Sequence, residues 1–168
     1  MKIQTTLIIL IGLLGFNNLH GQTLIKRDPE IEKMVSEISR DNIEQYIQTL
    51  VGFHTRHNLS AQNDPYKGIG AAWNWVKDEI EKYIPQSKGR LSVEFKDYSM
   101  GGENERIPYE VKLKNVVATL QGTLPEDDRI LVVSAHLDSR VEGSNDSTSF
   151  APGANDDGSG VAAILELI

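Results

Sequence analysis

Residues 129–138 read RILVVSAHLD, with apolar side chains at consecutive positions from Ile130 to Val133. Successive side chains of a strand point to opposite faces, so a strand of this kind is expected to be covered above and below. The rest of the chain offers helices for those layers. Ile31, Met34, Val35 and Ile38 stand at helical spacing, and Ile43, Tyr46, Ile47 and Leu50 resume it. The phase breaks at SRDN, where Ser39 or Asp41 can cap the second helix. GIGAAWNWVKDEIEKYI sets Trp73, Val76, Ile80, Tyr83 and Ile84 on one helical face, and Pro85 follows the stop. GSGVAAILELI begins a last helix with Ser159 near its N-cap.

Two further strands accompany residues 129–138. LSVEFKDYSM alternates Leu91, Val93 and Phe95 with polar neighbours, and VKLKNVVATLQG is the second. GTLPEDD is the turn that leads on, and HTRHNLSAQNDPYKG is a polar, turn-rich loop. Helices covering strands, one of them buried on both faces, predict a layered α/β architecture.

The 168 residues suffice for one domain with a core. A net charge of −7 with a pI near 5.1 speaks against a general nucleic-acid surface, which needs a clustered basic face. The absence of cysteine excludes disulfides, thiolate zinc sites and thiol catalysis. At the N-terminus Lys2 precedes the apolar run TLIILIGLLGF, which is short for a membrane span. NNLHGQ follows, with Gly21 as the cleavage position. Residues 1–21 are therefore expected to be a signal peptide, the mature protein to be secreted or periplasmic, and no transmembrane segment to remain after cleavage.

His136 and Asp138 lie two residues apart and so on one side of their strand, at the end where open α/β sheets place ligands. An imidazole there can bind a metal through one nitrogen while a carboxylate holds the other and fixes its tautomer. Asp156 and Asp157 stand adjacent in a glycine-bordered loop that opens a helix, and they repel each other unless a cation or the helix dipole compensates. Taken alone, NDDGSG reads as a capping loop with solvated carboxylates. With an HxD strand end only eighteen residues earlier, a site for zinc or a similar divalent ion is the stronger reading.

Rival motifs fail on the same residues. A P-loop needs a lysine where Ser159 stands, and two aspartates would repel phosphate. A calcium loop with its glycine at Gly158 would begin at Gly153 and close on Ile164, neither of them an acid. A nucleophile elbow reads G-x-S-x-G, whereas Ser159 has glycines directly on either side.

NVVATLQG, VVSAHLDSR and APGANDDGSGVAAILEL together resemble the zinc-dependent exopeptidases that include secreted bacterial leucine-type aminopeptidases, with glutaminyl cyclases and transferrin-receptor-like proteins as relatives. VGFHTRHN and GIGAAWNWVKDEIE fall where this family has its lead-in loop and helix. The resemblance covers the chain from about Pro29 onward. It implies a three-layer α/β/α sandwich with a mixed, mainly parallel central sheet, of the phosphorylase/hydrolase-like kind, and two zinc ions in one site. It implies that His136 binds one zinc, that Asp138 orients His136, and that Asp156 bridges both metals. Asp157 would support the loop, an arrangement that could place a cis peptide between the two aspartates. The substrates implied are peptides, cut at the N-terminal residue by a metal-activated water, with a glutamate moving the proton.

That glutamate is missing. The family carries a Glu-Glu pair beyond the metal loop, then a further acidic ligand and a late histidine, and none of these follows Asp157 here. Glu166 is the remaining downstream acid and sits among apolar residues, so it is rejected as the base. His20 falls in the signal region, and His54 and His57 fall in an early loop, where structural or solvated roles are expected. VAAILELI reads as an apolar helix without its packing partners. Residues 22–168 are therefore expected to be the N-terminal portion of a metallopeptidase catalytic domain, incomplete at the C-terminus and catalytically silent alone. Two alternatives stay open: another exopeptidase or a glutaminyl cyclase of the same fold, or a non-catalytic binding protein.

Overall fold

The computed structural model describes residues 27–168 apart from 106 and 144. The signal-peptide expectation for residues 1–21, and His20 with it, lie outside the described residues. The chain divides into two compact units, up to Glu37 and from Ile38 onward. The first contains helix α1 (Pro29–Glu37), with proline at its first position and the Asp28 carboxylate accepting from the Glu30 N–H at 2.8 Å.

The second unit opens with α2 (Arg40–Gly52). Of the two candidate caps, Ser39 is the one used: its backbone is extended, and its hydroxyl accepts from the Asn42 N–H at 3.2 Å. Its own N–H donates to the Glu166 carboxylate at 2.5 Å. Replacing Ser39 by alanine removes the hydroxyl acceptor and should cost about 1 kcal/mol, read as a shift in the urea midpoint at unchanged slope.

Helix α3 (Gly68–Glu81) starts tightly against the preceding loop. Gly68 has φ +82°, and a Cβ at Gly70 would lie 2.0 Å from the Gln62 carbonyl oxygen, so only glycine lets the helix enter there. Trp73, Val76 and Ile80 are buried, as their spacing predicts. The indole of Trp75 lies on another side, 6.0 Å from the Tyr46 ring and 6.1 Å from Phe53. A 3-10 turn (Ile84–Ser87) leads into β1 (Leu91–Met100), which pairs antiparallel with β2 (Val111–Leu120), Leu91 opposite Leu120 and Met100 opposite Val111. Leu91 is buried, and Val93 and Phe95 on the same face are half-buried.

The chain ends in α4 (Ser159–Glu166), preceded by a wide turn at Ala154–Gly158. Here an expectation is corrected. Val161, Ala162 and Leu165 do have packing partners: they enter one core with Tyr46, Leu50 and Phe53 of α2 and its end, Ala71, Ala72, Val76 and Ile80 of α3, and Leu91 of β1. Ala163 on the outer side of the helix, and Leu167 and Ile168 at the end of the run, are exposed. Burying one such aliphatic side chain is worth about 1.5–3 kcal/mol, so α4 is an integral element of the unit.

Residues 129–138 depart from expectation in the other direction. They form no strand, and Ile130, Leu131, Val132 and Val133 are 87%, 92%, 82% and 67% exposed. A strand exists through its ladder, and among the described residues no second strand pairs with this one. The described sheet therefore has two strands, paired antiparallel, with helix α3 packed on it. At the C-terminal end of the segment Ala135 and Leu137 pack against the core and Ser139 is buried.

Candidate metal centre

The tail of this segment and the turn before α4 bring together the two groups that the sequence singled out. His136 Nε2 lies 2.8 Å from Asp156 Oδ1. Its Nδ1 lies 3.1 Å from the backbone carbonyl of Asp138 and 3.4 Å from the Asp138 carboxylate. The main-chain carbonyl is thus the closer partner of Nδ1, and the carboxylate stands behind it. Both ring nitrogens face oxygens, a main-chain carbonyl at Nδ1 and a carboxylate at Nε2, an arrangement that favours the protonated ring. Partial desolvation pulls the imidazole pKa down, but the Asp138 carbonyl, the Asp156 carboxylate and the charges of Asp138 and Asp157 outweigh it, and the pKa stands above its usual value.

Asp157 ties the turn together. One carboxylate oxygen accepts from the His136 N–H at 3.2 Å, and the other accepts from the Gly160 N–H in the first turn of α4 at 3.2 Å. That position also favours a negative charge through the helix dipole. The Asp156–Asp157 peptide is cis, and the Asp156 side chain is 88% exposed, directed outward beside the imidazole. Ser159 donates its hydroxyl to the Asn155 carbonyl and so closes the turn from within.

The donor set suits a divalent ion. Ligands of a tetrahedral zinc, each about 2 Å from the ion, stand about 3.3 Å apart, and the imidazole and carboxylate are already at 2.8 Å. A cation replacing the Nε2 proton would leave Nδ1–H on the Asp138 carbonyl, the usual outer support of a metal-bound imidazole. Among the described residues, no group of three or more histidines and carboxylates lies close enough to hold an ion, so these residues offer two donors.

The early histidines take structural places. His54 Nε2–H donates to the Thr148 carbonyl at 3.0 Å, with its ring 5.5 Å from Phe150. His57 is buried and accepts at Nδ1 from the Leu59 N–H at 3.0 Å. Glu166, rejected as a base on its sequence setting, accepts from the Ser39 N–H. Asp146 shapes the loop ahead of the turn that precedes α4. The Ser149 hydroxyl and N–H, then the Thr148 N–H, bind its carboxylate and hold its pKa at about 2, below the ordinary 3.8. The ionised form is the one bound, so its contribution is present above about pH 4 and is lost as the pH falls through about 2. The Thr148 and Ser149 amide resonances should titrate with a midpoint near 2; a midpoint near the ordinary value would show that these bonds do not form.

Arg56 was not singled out from the sequence. It is only 1% exposed, yet it carries a guanidinium. Its Nε donates to the Leu137 carbonyl at 2.7 Å, Nη1 to Leu50 at 2.9 Å and Pro152 at 2.8 Å, and Nη2 to Gly153 at 3.0 Å. Burial pulls its pKa down, and the charge of Asp138 acts against that. Ser139 completes the joint, accepting from the Arg56 N–H at 3.0 Å and donating to the Ala151 carbonyl at 2.7 Å. Nothing in one sequence distinguishes an arginine in FHTRHN from a solvated one, since its partners are backbone carbonyls.

Residues 115–168 match Peptidase family M28. That stretch contains His136, Asp138, Asp156 and Asp157. Over 88% of this chain and 34% of its own length, a "Probable zinc metalloprotease" of Leptosphaeria maculans is 49% identical. Another of that name, from Pyrenophora teres f. teres, is 44% identical over 83% of this chain and 30% of its own. A "Probable leucine aminopeptidase" of Trichophyton verrucosum is 26% identical over 82% and 32%. The chain spans about a third of the length of these curated fungal relatives.

Proposed function

We propose that this chain is part of an exported, metal-dependent peptidase that removes N-terminal residues from peptides, with His136 and Asp156 as zinc ligands and Asp156 shared between two zinc ions. The observation that carries the reading is the convergence of His136 Nε2 and Asp156 Oδ1 at 2.8 Å within the stretch that matches Peptidase family M28. The three-layer α/β/α sandwich with a mainly parallel sheet is proposed for the whole protein on the same resemblance, as is a secreted or periplasmic location.

Zinc held there would supply Lewis-acid polarisation of a peptide carbonyl and of water. The chain's own residues perform the supporting work. The Asp138 carbonyl accepts from Nδ1–H, which would leave the Nε2 lone pair free to hold a cation. Asp157 pins the His136 backbone to the first turn of α4, which fixes one ligand relative to the other. Asp156, outward and exposed, leaves its second oxygen open. No glutamate of the described residues stands beside this pair, so the 168 residues alone are proposed to be catalytically silent.

Metal analysis of the intact protein, combined with hydrolysis of aminoacyl-anilides, tests the proposal. Zinc should co-purify, hydrolysis should vanish with a chelator, and added zinc should restore it. Zinc binding without such hydrolysis would turn the reading toward a glutaminyl cyclase or another exopeptidase. An intact protein that binds no zinc would be a non-catalytic binding module. Chelator-sensitive hydrolysis by residues 22–168 alone would overturn the silence assigned to them.

A further inference from the structure

We propose that Arg56 is a positioning residue whose buried guanidinium sets the separation of His136 and Asp156, by holding the backbone carbonyls next to both of them at once. The inference rests on the reading of these two residues as metal ligands. Leu137, bonded to Nε, directly follows His136, while Pro152 and Gly153, bonded to Nη1 and Nη2, open the turn that carries Asp156. The third anchor is the Leu50 carbonyl in the last turn of α2, where unpaired helix carbonyls favour a cation. One rigid planar group therefore ties the two ligand-bearing segments to a helix end.

Three features separate this role from simple filling of the core. All four acceptors are main-chain carbonyls, with no carboxylate in hydrogen-bonding contact, so the group fixes backbone rather than neutralising an acid. A buried cation with no carboxylate bonded to it is expensive, even with the charge of Asp138 acting in its favour, and an apolar side chain of similar volume would serve packing better. The Gly153 carbonyl also accepts from the Gly158 N–H at 2.9 Å, so the bond from Nη2 acts at the joint that closes the turn. Lysine cannot reproduce the arrangement, because its donors radiate from one atom instead of a planar fork.

The test uses the full 168-residue chain and three variants: Arg56→Met, Arg56→Lys, and Ile80→Ala as a core control in α3 that makes no polar contact with the ligand-bearing segments. Zinc affinity is measured by competition with a chelating dye. Protection of the Ser139 and Gly158 amides is measured by hydrogen exchange without metal. R56M and R56K should lose about ten- to a hundredfold in zinc affinity, the range for residues that orient metal ligands. They should also lose protection at Ser139 and Gly158 beyond that lost by I80A at matched unfolding midpoint. I80A should keep wild-type zinc affinity. If R56M does not fold, R56K carries the comparison. Wild-type zinc affinity in R56K, or an equal loss in I80A, would overturn the role. A wild-type chain that fails to bind zinc would refute the ligand reading instead, and the exchange measurement would still decide whether Arg56 sets the turn.

Discussion

Replacing Asp156 by alanine is expected to abolish zinc binding while leaving the metal-free fold almost untouched. The side chain is 88% exposed, and its contact with His136 is a surface pair, for which less than about 1 kcal/mol of stability is at stake. Removing it also relieves repulsion from Asp157, whose bonds to the His136 and Gly160 amides are independent of it. Metal binding, by contrast, loses one of two donors. The two effects separate cleanly in urea unfolding run with and without zinc. Zinc at about a hundred times its Kd should stabilise the wild-type chain by about 2.7 kcal/mol, and this gain should disappear in D156A. Equal stabilisation of both proteins would place the ion elsewhere.

Gly153→Ala is expected to damage stability and metal binding together. Gly153 sits at φ +47°, and a Cβ there would stand 2.5 Å from Ser139 Cβ, 2.8 Å from the Asp156 carbonyl oxygen and 2.9 Å from Arg56 Nη2. Two of these neighbours are backbone or held by backbone, so neither can swing away. Overpacking of this kind costs about 1–3 kcal/mol, and the atoms displaced are those that place Asp156. Gly122→Ala serves as control, since nothing lies within 4 Å of its Cβ, and should change stability by less than about 0.5 kcal/mol. Chemical denaturation of both variants, followed by zinc titration, checks the pair. An unshifted midpoint in G153A would show that the turn yields without strain.

What could be read in the sequence follows from where the determining physics lies. The buried face of α3 was legible because Trp73, Val76 and Ile80 obey helical spacing, and β1 because Leu91, Val93 and Phe95 obey a period of two. The approach of residue 136 to residue 156 was expected from the HxD segment end combined with the glycine-bordered NDDG loop, and from the resemblance that VVSAHLDSR and APGANDDGSGVAAILEL carry. Three things were not. Residues 129–138 carry a strand's composition, but a ladder needs a neighbour, and a neighbour is not a property of the segment. The partners of α4 depend on how α2 and α3 fold back, so an apolar helix looked orphaned when it was not. Arg56 speaks only to carbonyls, which every residue has, so its role leaves no trace in residue types.

The bond between Ser39 and Glu166 joins positions 127 residues apart, and the same late helix supplies Val161, Ala162 and Leu165 to the interior. During synthesis, α2 and α3 therefore emerge with their oily sides uncovered and must wait for nearly all of the second unit before those sides can close. Assembly of this kind is slow to nucleate and depends on distant contacts. A ribosome stalled before Val161 would hold a sticky intermediate, and release of α4 from the exit tunnel would let those sides close.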